Sequence, residues 1–254
     1  MEYLALVIGN SRLHWAWMKG KQCLQTWDTP HLEKPVTDLP FHLFPKTVTA
    51  SLPRKLKVYL ISVVPKQTQL WEHYANKKIM TRDEIPLKNM YATLGSDRAL
   101  CAYGAGETYG YPVLVIDGGT ALTYTTVGKQ KAFLGGAILP GLRLQLQALN
   151  QQTAALPAVS LPESLPPLWG NSTNSAIVSG VIHSLISGIY NYATDWLERE
   201  SDGNIILTGG DALLLNHYLQ AKYPLLSPTI TVDQTLMFQG IARCPGEGLK
   251  APGT

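Results

Sequence analysis

The chain has 254 residues, 45% hydrophobic and 15% charged, long enough for one large domain or two of ordinary size. A formal net charge of +3, spread along the chain, excludes a nucleic-acid stripe, and Cys23, Cys101 and Cys244 are too scattered for a zinc site or a disulfide framework. Free thiols fit a reducing compartment, and the apolar run at residues 4–8 is too short for a signal segment or a membrane span. A soluble cytoplasmic protein without membrane or nucleic-acid partners is therefore expected.

In chain order, residues 4–8 form an apolar run of buried-strand type. The polar turn Gly9, Asn10, Ser11 follows, and a second strand occupies residues 13–18 ahead of Lys19, Gly20, Lys21 and Gln22. Residues 23–56 carry Pro30, Pro35, Pro40, Pro45 and Pro53, which limit them to short strands, turns and one brief helix. Residues 58–64 predict a third strand stopped by Pro65. Residues 67–76 predict a short amphipathic helix with Leu70, Trp71 and Tyr74 on one side.

From Tyr91 the chain reaches Gly95, Ser96, Asp97 and Arg98, then a run of helix formers to residue 105. Ser96 or Asp97 stands where that helix begins, and the plainest role for Asp97 is an N-cap. The chemical alternative is a carboxylate at a helix mouth that accepts a proton from a substrate hydroxyl, with Arg98 gripping a substrate carboxylate in bidentate fashion.

Residues 113–116 are the apolar, mostly β-branched run of a strand buried on both faces. That strand ends in Asp117, Gly118, Gly119 and Thr120, and β-formers resume from 121 to 127 before Gly128 and Lys129. Glycines let backbone N–H groups approach an anion, and the threonine hydroxyl adds a donor. With Gly9 placed on Gly119, Ser11 falls close to Thr120, and both hairpins end in Gly-Lys-Gln after a two-residue difference in length. Either hairpin alone is commonplace. The pair predicts two related lobes that share one nucleotide.

Gly135-Gly136 and Pro140-Gly141 bracket a short strand, and a helix is expected from 142 to about 149. The proline-rich stretch 151–170 reads as an irregular loop, tipped by Gly170, Asn171, Ser172 and Thr173. The longest helix is predicted over 175–199, where Ile177, Val178, Val181, Leu185, Ile189 and Trp196 recur at helical spacing. Its small residues Gly180, Ser184 and Gly188 suit either tight packing on a sheet or a helix–helix dimer contact. His183 and His14 lack a second metal ligand at suitable spacing and read as structural, although His14 stands near the first phosphate turn. A strand at 204–208 runs into Gly209-Gly210, a corner able to lie flat against a nucleoside, and a helix follows from 212 to about 223. The tail beyond Pro245 is expected to fray.

The ordered set Gly9-Asn10-Ser11, Ser62 to Pro65, Gly95 to Arg98, Asp117 to Thr120, Gly135-Gly136 with Pro140-Gly141, Thr173, and Thr208 to Gly210 resembles type III pantothenate kinase over most of the chain. The resemblance implies an α/β fold: two ribonuclease-H-like lobes of the acetate and sugar kinase/Hsp70/actin architecture, mixed sheets flanked by helices. Residues 1–112 would hold the first phosphate motif and the catalytic Asp. Residues 113–254 would hold the second phosphate motif, the dimer helix and the adenosine corner. It also implies ATP with Mg²⁺, pantothenate, a monovalent cation (K⁺ or NH₄⁺) and a homodimer whose site is completed across the interface.

Carried over by position, Asp97 would take the proton from the pantothenate hydroxyl, and Tyr91, Gly95, Ser96, Arg98 and Thr173 would contact pantothenate. Val7, Ile8, Gly9, Asn10, Ser11, Arg12, Leu13 and His14 would form the first ATP loop, with Thr120 a further ATP contact and Asp117 the cation ligand. Three departures stand out. Val7 occupies a position where the family usually has an Asp that helps hold Mg²⁺, so weaker metal or ATP binding is expected. Lys88 stands where a substrate-binding tyrosine often lies nine residues before the base, with Tyr91 six before. Asn171-Ser172 replaces a common Lys-Asn pair. The rival expectations are a non-catalytic nucleotide-binding regulator of this fold, which Val7 favours, and another small-molecule kinase of the same architecture.

Overall fold

The computed structural model describes residues 1–244, so the tail expected to fray lies outside the described residues. The chain divides into two compact units, Met1–Thr108 with the segment from Thr235 onward, and Tyr109–Gln234. Residues 235–244, assigned from sequence to the second lobe, thus group with the first unit. The reason is α7 (Leu236–Arg243), a helix without an expectation in the sequence. It packs on the first unit's α3 (Ser96–Tyr109), with Gly104 and Gly240 at the crossing. A Cβ on Gly104 would lie 2.5 Å from the Leu236 carbonyl oxygen, and one on Gly240 2.4 Å from that of Leu100.

The first unit carries β1 (Glu2–Ile8), β2 (Leu13–Lys19), β3 (Gln22–Thr29), β4 (Val58–Ser62) and β5 (Lys77–Ile79) in the order β3-β2-β1-β4-β5. Its strands β1, β2 and β3 are antiparallel neighbours, while β1–β4 and β4–β5 are parallel. The second unit carries β6 (Val113–Gly118), β7 (Ala121–Val127), β8 (Phe133–Pro140), β9 (Asn204–Thr208) and β10 (Ile230–Val232). These run β8-β7-β6-β9-β10 with the same pattern of parallel and antiparallel neighbours. The two hairpins that look alike in sequence are therefore equivalent pieces of a duplicated topology.

Each unit has its own core. Alternate residues of β1 and β2 (Leu4, Leu6, Ile8, Trp15) meet Trp27, Phe44, Trp71 and Tyr74. Trp15 stacks parallel to Trp27 at 6.1 Å, and its indole N–H donates to Thr29 Oγ1 at 3.0 Å. In the second unit Leu114, Ile116, Leu122 and Tyr124 pack under α4 (Leu142–Gln152), α5 (Thr173–Arg199) and α6 (Ala212–Lys222). Residues 23–56 supply β3, a 3-10 turn and the brief α1 (Lys46–Thr49), as the prolines require.

Several boundaries differ from expectation. The helix predicted over 67–76 is only α2 (Pro65–Gln69), opened by proline at its first position and continued as turns. Trp71 and Tyr74 still reach the core from those turns. The strand expected between the glycine pairs includes Gly135 and Gly136. In α5 the helix starts at Thr173, because Ser172 and Ser175 form a capping box there. His183 is structural as expected: its Nε2 lies 2.9 Å from the Pro166 carbonyl oxygen. Among the described residues no helix is long and apolar enough to cross a membrane.

Candidate active site

In the first unit the turn between β1 and β2 spans residues 9–12, closed by the Gly9 N–H donating to the Arg12 carbonyl at 3.1 Å. His31 Nε2 lies 2.8 Å from the Gly9 carbonyl oxygen. From β3, Asp28 divides its carboxylate: Oδ2 accepts from Arg12 Nη1 at 3.1 Å and Oδ1 meets His14 Nδ1 at 2.8 Å. Burial alone would raise the Asp28 pKa, but the bonds to His14 and Arg12 outweigh it and hold the carboxyl below its ordinary value. Val7, one residue before the end of β1, is buried and its side chain has no polar atom.

The same strand ends lead to Asp97. Ile8 pairs with Ser62 of β4, and the Ser62 carbonyl lies 3.5 Å from the hydroxyl of Ser96, first residue of α3. Asp97 is therefore inside the first helical turn rather than a cap ahead of it, where the helix dipole favours its negative charge. Its Oδ1 accepts the Arg98 N–H at 2.8 Å and stands 2.5 Å from where a Cβ on Gly95 would be. A side chain at 95 would push that carboxylate out of this position. Arg98 is buried, and its Nη1 donates to the Tyr91 hydroxyl at 3.0 Å, while Tyr91 itself is exposed. Arg82 fixes this strand of chain by donating to the carbonyls of Tyr91 and Ala92. Tyr91, Gly95, Ser96, Asp97 and Arg98 thus form one cluster, linked through β4 to the Gly9 turn.

In the second unit the β6–β7 turn is two residues, Gly119 and Thr120, and three motifs meet at it. The Gly141 N–H donates to the Thr120 carbonyl at 2.8 Å, and the Asp211 N–H donates to the Gly118 carbonyl at 2.9 Å. Asp117 extends its carboxylate against the glycine corner, where a Cβ on Gly209 would lie 2.3 Å from Oδ1. Gly209 has φ +92, which side chains rarely adopt. Next to Asp117 in the parallel register stands Thr208, whose buried Oγ1 has no hydrogen-bond partner among the described residues. A carboxylate beside an orphaned hydroxyl fits a small cation. Arg143 Nε donates to buried Asp211 at 2.9 Å on the outer side of this corner.

The glycines separate into two kinds. Gly141 and Gly209 are demanded by packing, since a Cβ on each would strike neighbouring backbone at 2.7 Å or less, whereas one on Gly118 would meet the movable end of Leu215 at 2.6 Å. Gly9, Gly119 and Gly210 are not so demanded: none has a left-handed φ, and the nearest atom to an added Cβ is 3.3 Å, 3.6 Å and beyond 4 Å respectively. Bare backbone that the fold does not require is what close approach of a phosphate or nucleoside needs. Thr173 lies elsewhere in the second unit, exposed at the start of α5 beside a groove that includes Leu149, Leu156, Gly170 and Asn171. Asp28 carries no motif signal of its own, and the motif that holds Thr208 does not pair it with Asp117. Only strand register brings them to His14 and Asp117.

A family model for type III pantothenate kinase matches residues 3–195. A type III pantothenate kinase from Nostoc sp. (strain PCC 7120) is 45% identical over 259 residues, covering 94% of this chain and 93% of the relative. Among solved structures, a Baf family protein from Campylobacter jejuni superposes with TM-score 0.60 at 18% identity, covering 95% of this chain and 96% of that one. A candidate 2-dehydro-3-deoxygalactonokinase from Sinorhizobium meliloti superposes with TM-score 0.54 at 13% identity, covering 95% of each. These likenesses, with the duplicated mixed sheets, give the fold as the acetate and sugar kinase/Hsp70/actin architecture. By its match to the family model and its near full-length identity to that relative, the chain belongs to the type III pantothenate kinase family.

Proposed function

We propose that the protein transfers the γ-phosphoryl group of ATP to the primary hydroxyl of pantothenate, the first step towards coenzyme A. The observation that carries this reading is the tie between Asp97 and the Gly9 turn: a carboxylate at a helix start, two bonded steps from a phosphate-type turn. Asp97 takes the hydroxyl proton, the freed oxygen bonds to the γ-phosphorus, and the bond to the ADP oxygen breaks. Such a transfer depends mainly on positioning and charge neutralisation. Arg98 and Tyr91 bind the pantothenate carboxylate end, and Gly95 and Ser96 line the same pocket. Residues 7–14 and Thr120 receive the phosphates, and the Gly210 corner receives the nucleoside.

Mg²⁺ enters with ATP and supplies neutralisation of phosphate charge. With Val7 in place of an acid, nucleotide oxygens and water would provide most of its ligands. Asp117 with Thr208 would hold the monovalent cation, K⁺ or NH₄⁺. The outward stripe Gly180 and Ser184 on α5, exposed beside Tyr190 and Tyr192, supports a homodimer in which Thr173 reaches the partner's substrate.

The test is a coupled assay of purified protein with ATP, Mg²⁺, potassium and pantothenate. Asp97→Asn should lower turnover by roughly 10²–10⁴-fold, the usual contribution of a positioned base, with nucleotide affinity retained. A variant that turns over near the normal rate removes Asp97 from this role. A wild-type chain that binds ATP yet phosphorylates nothing would favour a nucleotide-binding regulator, consistent with Val7.

A further inference from the structure

The duplicated topology allows one row of side chains to be compared across the two sheets. In the second unit the row Thr208, Asp117, Thr123, Ile138 crosses β9, β6, β7 and β8. In the first unit the equivalent row is Ile61, Val7, His14, Asp28 across β4, β1, β2 and β3. Directly paired residues share a face, so these are matching positions on matching surfaces. The second unit has its acid on the central strand and an apolar residue on the edge. The first has apolar residues at the centre and its acid on the edge, about 10 Å from Val7 across two strand spacings.

The residue linking the two is His14, cross-strand neighbour of both Val7 and Asp28. Its Nδ1 is 2.8 Å from Asp28 Oδ1, and its Nε2 would lie 3.3 Å from a Cβ on Gly9, so the ring reaches from the carboxylate to the phosphate turn. A carboxylate accepts only, so a neutral ring bonded to it carries its proton on Nδ1 and leaves an acceptor lone pair on Nε2. Arg12 occupies the other Asp28 oxygen and stops the carboxylate from turning away. Carboxylate-held histidines of fixed tautomer serve metals in this way. Mg²⁺ prefers oxygen ligands and keeps several waters, so the contact suited to Nε2 is a metal-bound water rather than the ion itself.

We propose that His14, oriented by Asp28, is the acceptor that the first turn offers to the hydration shell of nucleotide-bound Mg²⁺, in place of the acid absent at Val7. The proposal rests on the kinase reading for the presence of Mg·ATP at this turn. Asp28 is a positioning residue that acts through His14.

The test is calorimetric binding of the non-hydrolysable nucleotide AMPPNP across a Mg²⁺ titration. It compares wild type, His14→Phe and Asp28→Asn, and each variant again with Val7→Asp. His14→Phe keeps the ring but removes the nitrogen. Asp28→Asn has one acceptor oxygen for two donors. Both should raise the Mg²⁺ midpoint about tenfold, as loss of outer-shell partners commonly does. Metal-free affinity should fall by less than the affinity measured with Mg²⁺, and Val7→Asp should bring the midpoint back. An unmoved midpoint overturns the proposal. Equal weakening with and without Mg²⁺ also overturns it, because the ring would then touch phosphate or merely shape the turn. If the doubly substituted chains do not fold, the single variants decide on the midpoint and metal-free affinity alone. Failure of wild type to phosphorylate pantothenate would remove the kinase reading but leave this metal linkage separately measurable.

Discussion

The two hairpins at the heart of the molecule share strand order, register and glycine turn, yet they solve the same problem differently. The β6–β7 turn has two residues and is stitched to its surroundings by backbone, through Gly141 to Thr120 and Asp211 to Gly118. Its charge sits on the central strand at Asp117. The β1–β2 turn has four residues, and side chains hold it: Arg12 of the turn itself, His14 of β2 and His31 just past β3, with Asp28 behind two of them. One turn is short with an acid on its central strand, and the other is longer with a neutral, buried centre. Duplication conserves topology easily because strand pairing needs only backbone. The placement of charge is free to drift between strands of one face.

The largest effect that would test this contrast is at the glycine corner. Gly209→Ala would force a side chain into a left-handed position and against Asp117 and the Gly118 backbone. Strain of about 1–3 kcal/mol and overpacking of similar size should combine, and thermal unfolding should show the loss. Gly210→Ala, with open space around it, should melt like wild type but weaken ATP binding. Equal stability for both alanines would mean that packing at the corner does not demand glycine at 209. A smaller effect is expected at Asp117. Asp117→Asn should raise the potassium concentration for half-maximal rate roughly tenfold, the scale of ~1.5 kcal/mol for a charge-assisted contact. A potassium titration that does not respond would separate Asp117 from the cation and undo the division of labour between the turns.

Much of this was legible in the chain because the turns are local. Residues 4–18 and 113–127 announce their strands by apolar runs and their turns by glycine, and register then follows from hairpin length. The helix start at Asp97 was legible to within a residue, since small and helix-forming residues follow it immediately. Asp28 was not, because its role is set by a partner fourteen residues away across a strand pair, inside a proline-broken region without pattern. Nor was α7, whose place depends on Gly104 and Gly240 meeting across distant sequence. Thr208 looked like the polar end of a strand until the parallel register set it beside Asp117.

The smallest effect concerns the far ends of the hairpins, where the same Gly-Lys-Gln tripeptide forms two different turns. Gly20 has φ +59 in the two-residue link between β2 and β3, and the Tyr3 hydroxyl donates to its carbonyl at 3.0 Å. Gly128 opens a longer link in which Lys131, not glycine, takes the left-handed position at φ 58. An added Cβ on Gly20 meets no neighbour, so the cost of Gly20→Ala is conformational, about 1–2 kcal/mol. That should lower the melting temperature by about 2–8 °C in a chain of this size. An added Cβ on Gly128 meets only the movable end of Leu134 at 3.3 Å, and alanine restricts the unfolded chain, so Gly128→Ala should melt at or slightly above wild type. If the two alanines shift melting equally, identical tripeptides impose identical turns, and the sequence repeat would extend further into structure than the two sheets display.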